Sequence, residues 1–407
     1  MAHDSTQTPS GTPRPRRDLL ATLPDEVLVQ IFEAVLRLSR RSLCNVSRLN
    51  KHYHTLADAV LYETIHFVTP ELHLIFSESL RRRPRRGSAI REVKLAYPAS
   101  ELSQLIIDAP VHGSYYDQAP VRYDSLSRTI STMSNLETLD IAVPDTLLPG
   151  IGKLFDGPFD LACLRSCTLF YQCKDDGYWD LQDNIHIFSH PSIETLVIKR
   201  AKLDYRGFDC IELPHETALS KLHLIECDFN DDALSDILMF PKALKEFVMT
   251  QTSDPMPPLE ESSDRIEDYI LALKSQAGSL VTITIDFPTL TGHRALRMRE
   301  FVALETLRMN WDYQLFGKSS SKPRMHSVGL PPALETLEFF NPLGTDEEVT
   351  DLFVFTIDHI TVNAQHLKTL IVVEEDGHEV PEAVTAACKA QPQLQLDVIG
   401  RFDLEDT

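Results

Sequence analysis

"LSKLHLIECDF", residues 219–229, carries the pattern that organises most of this chain. Leu219, Leu222 and Leu224 follow an apolar-x-x-apolar-x-apolar spacing, and Cys227 and Phe229 come after it. Alternation of Leu222 and Leu224 with His223 predicts a short strand with one face turned inward. The same six-residue pattern recurs as "IREVKL" at 90, "LETLDI" at 136, "LRSCTL" at 164, "IETLVI" at 193 and "LKEFVM" at 244. It continues with "LVTITI" at 280, "LETLRM" at 304, "LETLEF" at 334 and "LKTLIV" at 367. Successive starts are 46, 28, 29, 26, 25, 36, 24, 30 and 33 residues apart.

Most of these spacings lie near the 20–29-residue period of leucine-rich repeats, the longer units carrying insertions. Residues 219–229 fill every position of the template L-x-x-L-x-L-x-x-N/C-x-L, and "IETLVIKRAKL" fails only at Ala201. Several other units lose the Asn/Cys residue, so the repeats are irregular. Helix starts are expected between strands at Asn230, at Asp264, and at Thr345 with Glu348 as a capping box. "PEAVTAACKA" and a closing strand, "LQLDVIG", end the array. The expected fold class is α/β: residues 90–407 form an irregular leucine-rich-repeat solenoid, a horseshoe of parallel strands with helices outside.

If the pattern residues point inward, the residues between them face the concave surface. These are Thr138, Asp140, Phe170, Lys199, His223, Thr284, Arg308, Asn310, Glu338 and Phe340. The candidate target-binding residues among them are Phe170, Lys199, His223, Arg308, Asn310 and Phe340. Phe170 and Phe340 are unusual on a solvated strand face; they are either binding anchors or covered by loops. The inserted loops at 110–124, with Tyr115 and Tyr116, and at 312–332 are further candidates.

Near the other end, "LPDEVLVQIFEAV" (23–35) reads as a helix with two apolar stripes. Val27, Leu28, Ile31 and Val35 form one; Val29, Phe32 and Leu36 form the second. Thr22 and Asp25 fit a helix start, with Pro24 tolerated in the first turn. A second helical stretch, "SLCNVSRLNKHYHTLADAVLYETI", follows from residue 42, with Leu43, Val46, Leu49, Tyr53, Leu56 and Val60 at spacings of three and four. A surface helix packed on one core needs one apolar face. The second stripe therefore meets either a partner or the first repeat of the solenoid.

Residues 19–67 resemble the F-box. The motif residues are Leu23, Pro24, Glu26, Ile31, Phe32, Leu43, Val46 and Tyr53, with "LADAVLYETIHF" as the exit. Tyr53 stands where Trp is commoner and Ser47 where Cys is, departures expected to loosen the third helix. The resemblance implies that Leu23, Pro24, Val27, Leu28, Ile31, Phe32, Val46 and Tyr53 bind a Skp adaptor, and through it a cullin. The layout, an F-box before degenerate leucine-rich repeats, is similar to many fungal F-box proteins. It implies a non-catalytic substrate receptor of a ubiquitin ligase with an unknown target protein. The alternatives are an F-box scaffold acting outside the ligase and, from another class, a hydrolase or metal enzyme on a repeat scaffold. Residues 1–18 read as a disordered tail and 68–89, with "RRRPRR", as a linker or a nuclear localisation patch.

Charge divides the chain. Residues 1–90 hold 13 basic and 9 acidic residues, net +4; the remainder holds 26 and 51, net −25. The large part would repel phosphates, so nucleic acid is not an expected partner. The N-terminus has no apolar signal core and no run is long enough to span a membrane, so no membrane is expected. Seven cysteines without tight pairing fit a reducing compartment, cytoplasmic or nuclear. "PGIGKLF" at 149–155 lacks the first glycine and the Ser/Thr of a phosphate loop and reads as a turn. Cys163, Cys167 and Cys173 lie upstream of His186 and His190, but Cys167 takes an inward repeat position, pointing to a structural thiol rather than a metal ligand. "KHYH" and "EEDGHE" read as surface segments. No catalytic residues, metal or cofactor are expected.

Overall fold

The computed structural model describes residues 20–68, 70–96, 129–145, 155, 161–173, 177–204, 216–252, 262–292, 296–311, 330–344, 346–375 and 377–400. Tyr115, Tyr116, Thr345, residues 1–18 and most of both inserted loops lie outside them. The chain divides into two compact units, residues 1–64 and 65–407.

The first unit is three helices: α1 (Asp25–Leu38), α2 (Arg40–Val46) and α3 (Lys51–Glu63). Side-chain caps set two of the starts. Ser39, in extended backbone, ends α1 and accepts from the Ser42 amide to begin α2. Asn50 Oδ1 accepts from the Tyr53 amide at 2.7 Å to begin α3. The α1 start has no side-chain cap: Pro24 holds the capping position, with Asp25 and Glu26 in the first turn where the helix dipole favours acids.

The division falls just inside β1 (Thr64–Phe67), whose residues the sequence places in the F-box exit. The stretch expected as a linker is folded, into α4 (Pro70–Arg82) and a 3-10 segment (Pro84–Ala89). Buried Leu80 and the Phe67–Phe76 ring contact at 5.3 Å give it apolar side chains to pack, which a run of arginines conceals in the sequence.

Each of the repeated sequence runs then forms a strand. They are β2 (Glu92–Ala96), β3 (Thr138–Pro144), β4 (Ser166–Gln172), β6 (Thr195–Lys199), β8 (Lys221–Ile225) and β10 (Glu246–Thr250). There follow β11 (Thr282–Asp286), β12 (Thr306–Met309), β13 (Thr336–Phe339), β14 (Thr369–Glu374) and the closing β15 (Gln395–Gly400). With β1 they make a twelve-stranded sheet among the described residues, ordered by sequence and parallel at each pair from β2 to β15. Three two- or three-residue strands, β5 (Trp179–Asp180), β7 (Ala201–Leu203) and β9 (Asp228–Phe229), form a second parallel sheet. Between β6 and β7, and between β8 and β9, single residues with positive φ, Arg200 and Glu226, turn the chain from one sheet to the other.

Helices α5 (Asp231–Ile237), α6 (Ile266–Leu273), α7 (Glu347–Asp358), α8 (Ile360–Asn363) and α9 (Glu382–Ala390) lie between later strands, α7 and α8 both between β13 and β14. Asn230 caps α5 as its sequence predicts, accepting from the Asp232 and Ala233 amides. The other two expected starts shift by one residue. Arg265, not Asp264, precedes α6 and gives no side-chain cap; Asp346 caps α7 through the Glu348 amide. The fold is thus a helical N-terminal unit followed by a parallel sheet with helices, consistent with a leucine-rich-repeat-like solenoid.

The inward register is as the pattern requires. Leu219, Leu222 and Leu224 are buried, as are their counterparts in neighbouring repeats, such as Leu244, Phe247 and Met249. Cys227 serves the ladder position: its thiol donates to the Ile198 carbonyl of the preceding repeat at 3.4 Å and to Ile225 at 3.3 Å. Burial pushes that thiol up to about 12, so it stays a protonated donor. Replacing Leu222 by Ala should lower stability by about 2–5 kcal/mol through a core cavity. His223→Ala, on the opposite face of the same strand, should cost no more than about 1 kcal/mol. Urea unfolding of the two variants measures the contrast.

Candidate functional site

In the helical unit, Leu28, Phe32, Leu43, Tyr53, Ala57 and Val60 form a closed core. Phe32 and Tyr53 meet edge to face at 5.8 Å, each 1% exposed. This corrects two expectations. Tyr53 leaves α3 tightly packed despite standing where Trp is commoner. Leu28, Phe32 and Tyr53, read as adaptor contacts, are turned inward, because a unit this small needs its largest apolar side chains to hold three helices together. Neither stripe of α1 is wholly inward or outward: each places one residue at the centre of the core, Leu28 from the first and Phe32 from the second. Val29, Ile31, Val35, Leu36 and Val46 pack partly buried around the core, together with Leu23. Pro24 and Val27 are exposed, Val27 by 38%, as are Leu38 and Leu49 further along. Beside Pro24, Asp25 receives His52 Nε2 at 3.0 Å, tying the α1 start to α3.

In the second unit, the sheet has one buried and one open face, and strand pairing sorts the open residues into rows. One row reads Lys94, Asp140, Thr168, Val197, His223, Val248, Thr284, Arg308 and Glu338. A second begins Ala96, Ala142, Phe170, Lys199, Ile225, Thr250 and Asp286. Asn310 donates to Asp286 at 3.1 Å, and the Phe340 amide bonds to Met309 O, so both continue toward the far end. The candidate residues Phe170, Lys199, His223, Arg308, Asn310 and Phe340 therefore all lie on the open side, spread across many strands rather than gathered at one point. Thr284 departs from expectation. It is only 8% exposed, a short side chain set between Val248 and Arg308 in its row.

Charges on this face are mostly matched. Lys94 meets Asp140 at 3.3 Å and Arg308 meets Glu338 at 2.9 Å. Glu246 receives Lys221 at 2.8 Å and His223 at 3.0 Å. Cys167 is fully buried at its inward strand position, its thiol pushed upward by burial and then by the charge of Asp140. Among the described residues no cluster of three or more His, Cys, Asp or Glu is arranged to hold a metal ion, and no helix is long and apolar enough to cross a membrane.

A model of the F-box-like family matches residues 20–68. No curated protein matches the chain. The three helices are thus an F-box-like domain, and the long parallel sheet that follows it is consistent with repeats.

Truncating Phe32 to Ala should cost the helical unit about 3–5 kcal/mol. Amide hydrogen exchange should show α1 to α3 losing protection while the sheet strands keep theirs. The Glu246 cluster makes a separate prediction. The hydrogen bond from Lys221, first, and the charge of His223 hold the Glu246 carboxyl below its ordinary value. The stability it adds is present above the ordinary carboxylate range and is lost as pH falls through the lowered value. Glu246→Gln should therefore be less stable than the parent at pH 7, and the gap should close below about pH 4 in melting experiments.

Proposed function

We propose that the protein is a substrate receptor of a Skp–cullin–F-box ubiquitin ligase, with its repeats forming a leucine-rich-repeat horseshoe. The observation that carries this reading is the F-box-like match on a helical unit whose first helix leaves Pro24 and Val27 exposed. An F-box implies binding of a Skp adaptor and is typical of such receptors. The adaptor surface is built from Leu23, Pro24, Val27, Ile31 and Val46. Leu28, Phe32 and Tyr53 support it from beneath by fixing the helices. The open sheet face holds the target.

No reacting group is required of this chain. Holding a target beside the conjugating enzyme raises the effective concentration of the target's lysines, so the contribution is positional. Val27→Glu tests the adaptor surface without touching the core. The variant should melt as the parent does yet lose roughly tenfold or more in adaptor affinity, because a carboxylate is buried at the interface without a partner. Undiminished co-purification of the adaptor would refute the assigned surface. Adaptor captured without any cullin would instead favour the scaffold role.

A further inference from the structure

The open face is not uniform. Strand pairing sets Phe170 on one side of Lys199 and Ile225 on the other. Val197 lies two residues earlier on the Lys199 strand, and Val248 lies beside His223 one strand past Ile225. All four apolar side chains are partly exposed, on four adjacent strands, where solvated strands ordinarily carry polar residues. Lys199 is exposed among them.

Lys199 also differs from the other strand cations on this face. Lys94, Lys221 and Arg308 each meet a carboxylate. Among the described residues, Lys199 meets none. Its strand end is held in place, because the Lys199 carbonyl accepts the Trp179 indole N–H at 2.8 Å. An ammonium flanked by apolar surface is suited to an anion that is itself flanked by apolar groups. A polyanion fits poorly, since the chain from residue 91 onward carries net −25.

We propose that the face around Lys199 binds an acidic peptide segment, its carboxylate or phosphate on Lys199 and its apolar side chains on Phe170 and Ile225. The proposal rests on the reading of the open face as the target surface. Phe170 and Ile225 are two strand spacings apart, about 10 Å, with Lys199 midway, and side chains on one face of an extended peptide recur at every second residue. The bound segment therefore has its anion flanked by apolar residues two positions before and two after, so that all three side chains face the sheet.

The test uses the full chain and fluorescein-labelled short peptide pools with two apolar residues four apart and Glu, phosphoserine or Lys midway between them. Anisotropy should show binding of the Glu pool, the phosphoserine pool or both, and not of the Lys pool. Whichever anionic pool binds more tightly identifies the source of the charge. Lys199→Glu should melt normally, weaken the anionic pools roughly tenfold or more, and gain affinity for the Lys pool. Phe170→Ala and Ile225→Ala should weaken the anionic pools, whereas Lys389→Ala, at an exposed lysine on α9, should not. The proposal is overturned if neither anionic pool binds the parent chain, if the Lys pool binds it equally, or if Lys199→Glu leaves anionic binding unchanged. A labelled oligonucleotide bound in a Lys199-dependent way would also overturn it, in favour of a nucleic-acid ligand. Adaptor capture measured on the same samples keeps the readings apart: it depends on Val27, and its loss would leave the peptide result standing.

Discussion

The backbone of a parallel strand cannot be satisfied by a tight turn back on itself; its N–H and C=O groups need another strand reached by a crossover. In this protein each repeat supplies the partner for the next. The Glu137 and Thr138 amides both bond to Arg91 O, those of Arg165 and Ser166 to Glu137 O, and those of Glu194 and Thr195 to Arg165 O. The same fork recurs at each step through Lys368 and Thr369 on Glu335 O. Every repeat is thereby tied in register to its neighbours, and stability is a nearest-neighbour property rather than that of a single globular core.

That register has consequences on both faces of the sheet. Inward, it aligns the apolar triads, so Leu222 lies between Leu196 and Phe247, and Leu224 between Ile198 and Met249. Outward, it brings together side chains that are far apart in sequence. Lys94 and Asp140 come from β2 and β3, Arg308 and Glu338 from β12 and β13. Similar pairs border the strand starts, Arg91 with Glu137, Arg165 with Glu194, and Lys368 with Glu335. Such exposed pairs add little stability each. Their larger effect is to neutralise most of the face, so that an unmatched group such as Lys199 stands out.

The helical unit answers to a different constraint. Three short helices have few large apolar residues, and Phe32 and Tyr53 together with Leu28 and Leu43 are consumed in holding them together. The partly covered margin and the exposed Pro24 and Val27 stay outside that core. In so small a unit the largest side chains are needed for the core, which is why α1 turns Leu28 and Phe32 inward.

The sequence by itself determined the strands from β2 onward that carry the apolar-x-x-apolar-x-apolar pattern and their inward face, because that triad recurs at near-regular spacing; the short β1, β5, β7 and β9 carry no such pattern and appear only in the fold. It also determined the F-box-like region, through Leu23, Pro24, Ile31 and Phe32 at fixed helical positions. Tertiary structure decided which of those residues are interior. Periodicity says that Leu28 and Val27 are both apolar and adjacent, but only the packing of α1 against α3 buries one and exposes the other. The same holds at residues 68–89, where arginines suggested a linker while Phe76 and Leu80 pack. It holds again at Lys199, which the strand pattern puts on the open face without saying what lies beside it. Its place between Phe170 and Ile225 exists only once three strands are hydrogen-bonded side by side, since lateral pairing joins residues that the chain separates.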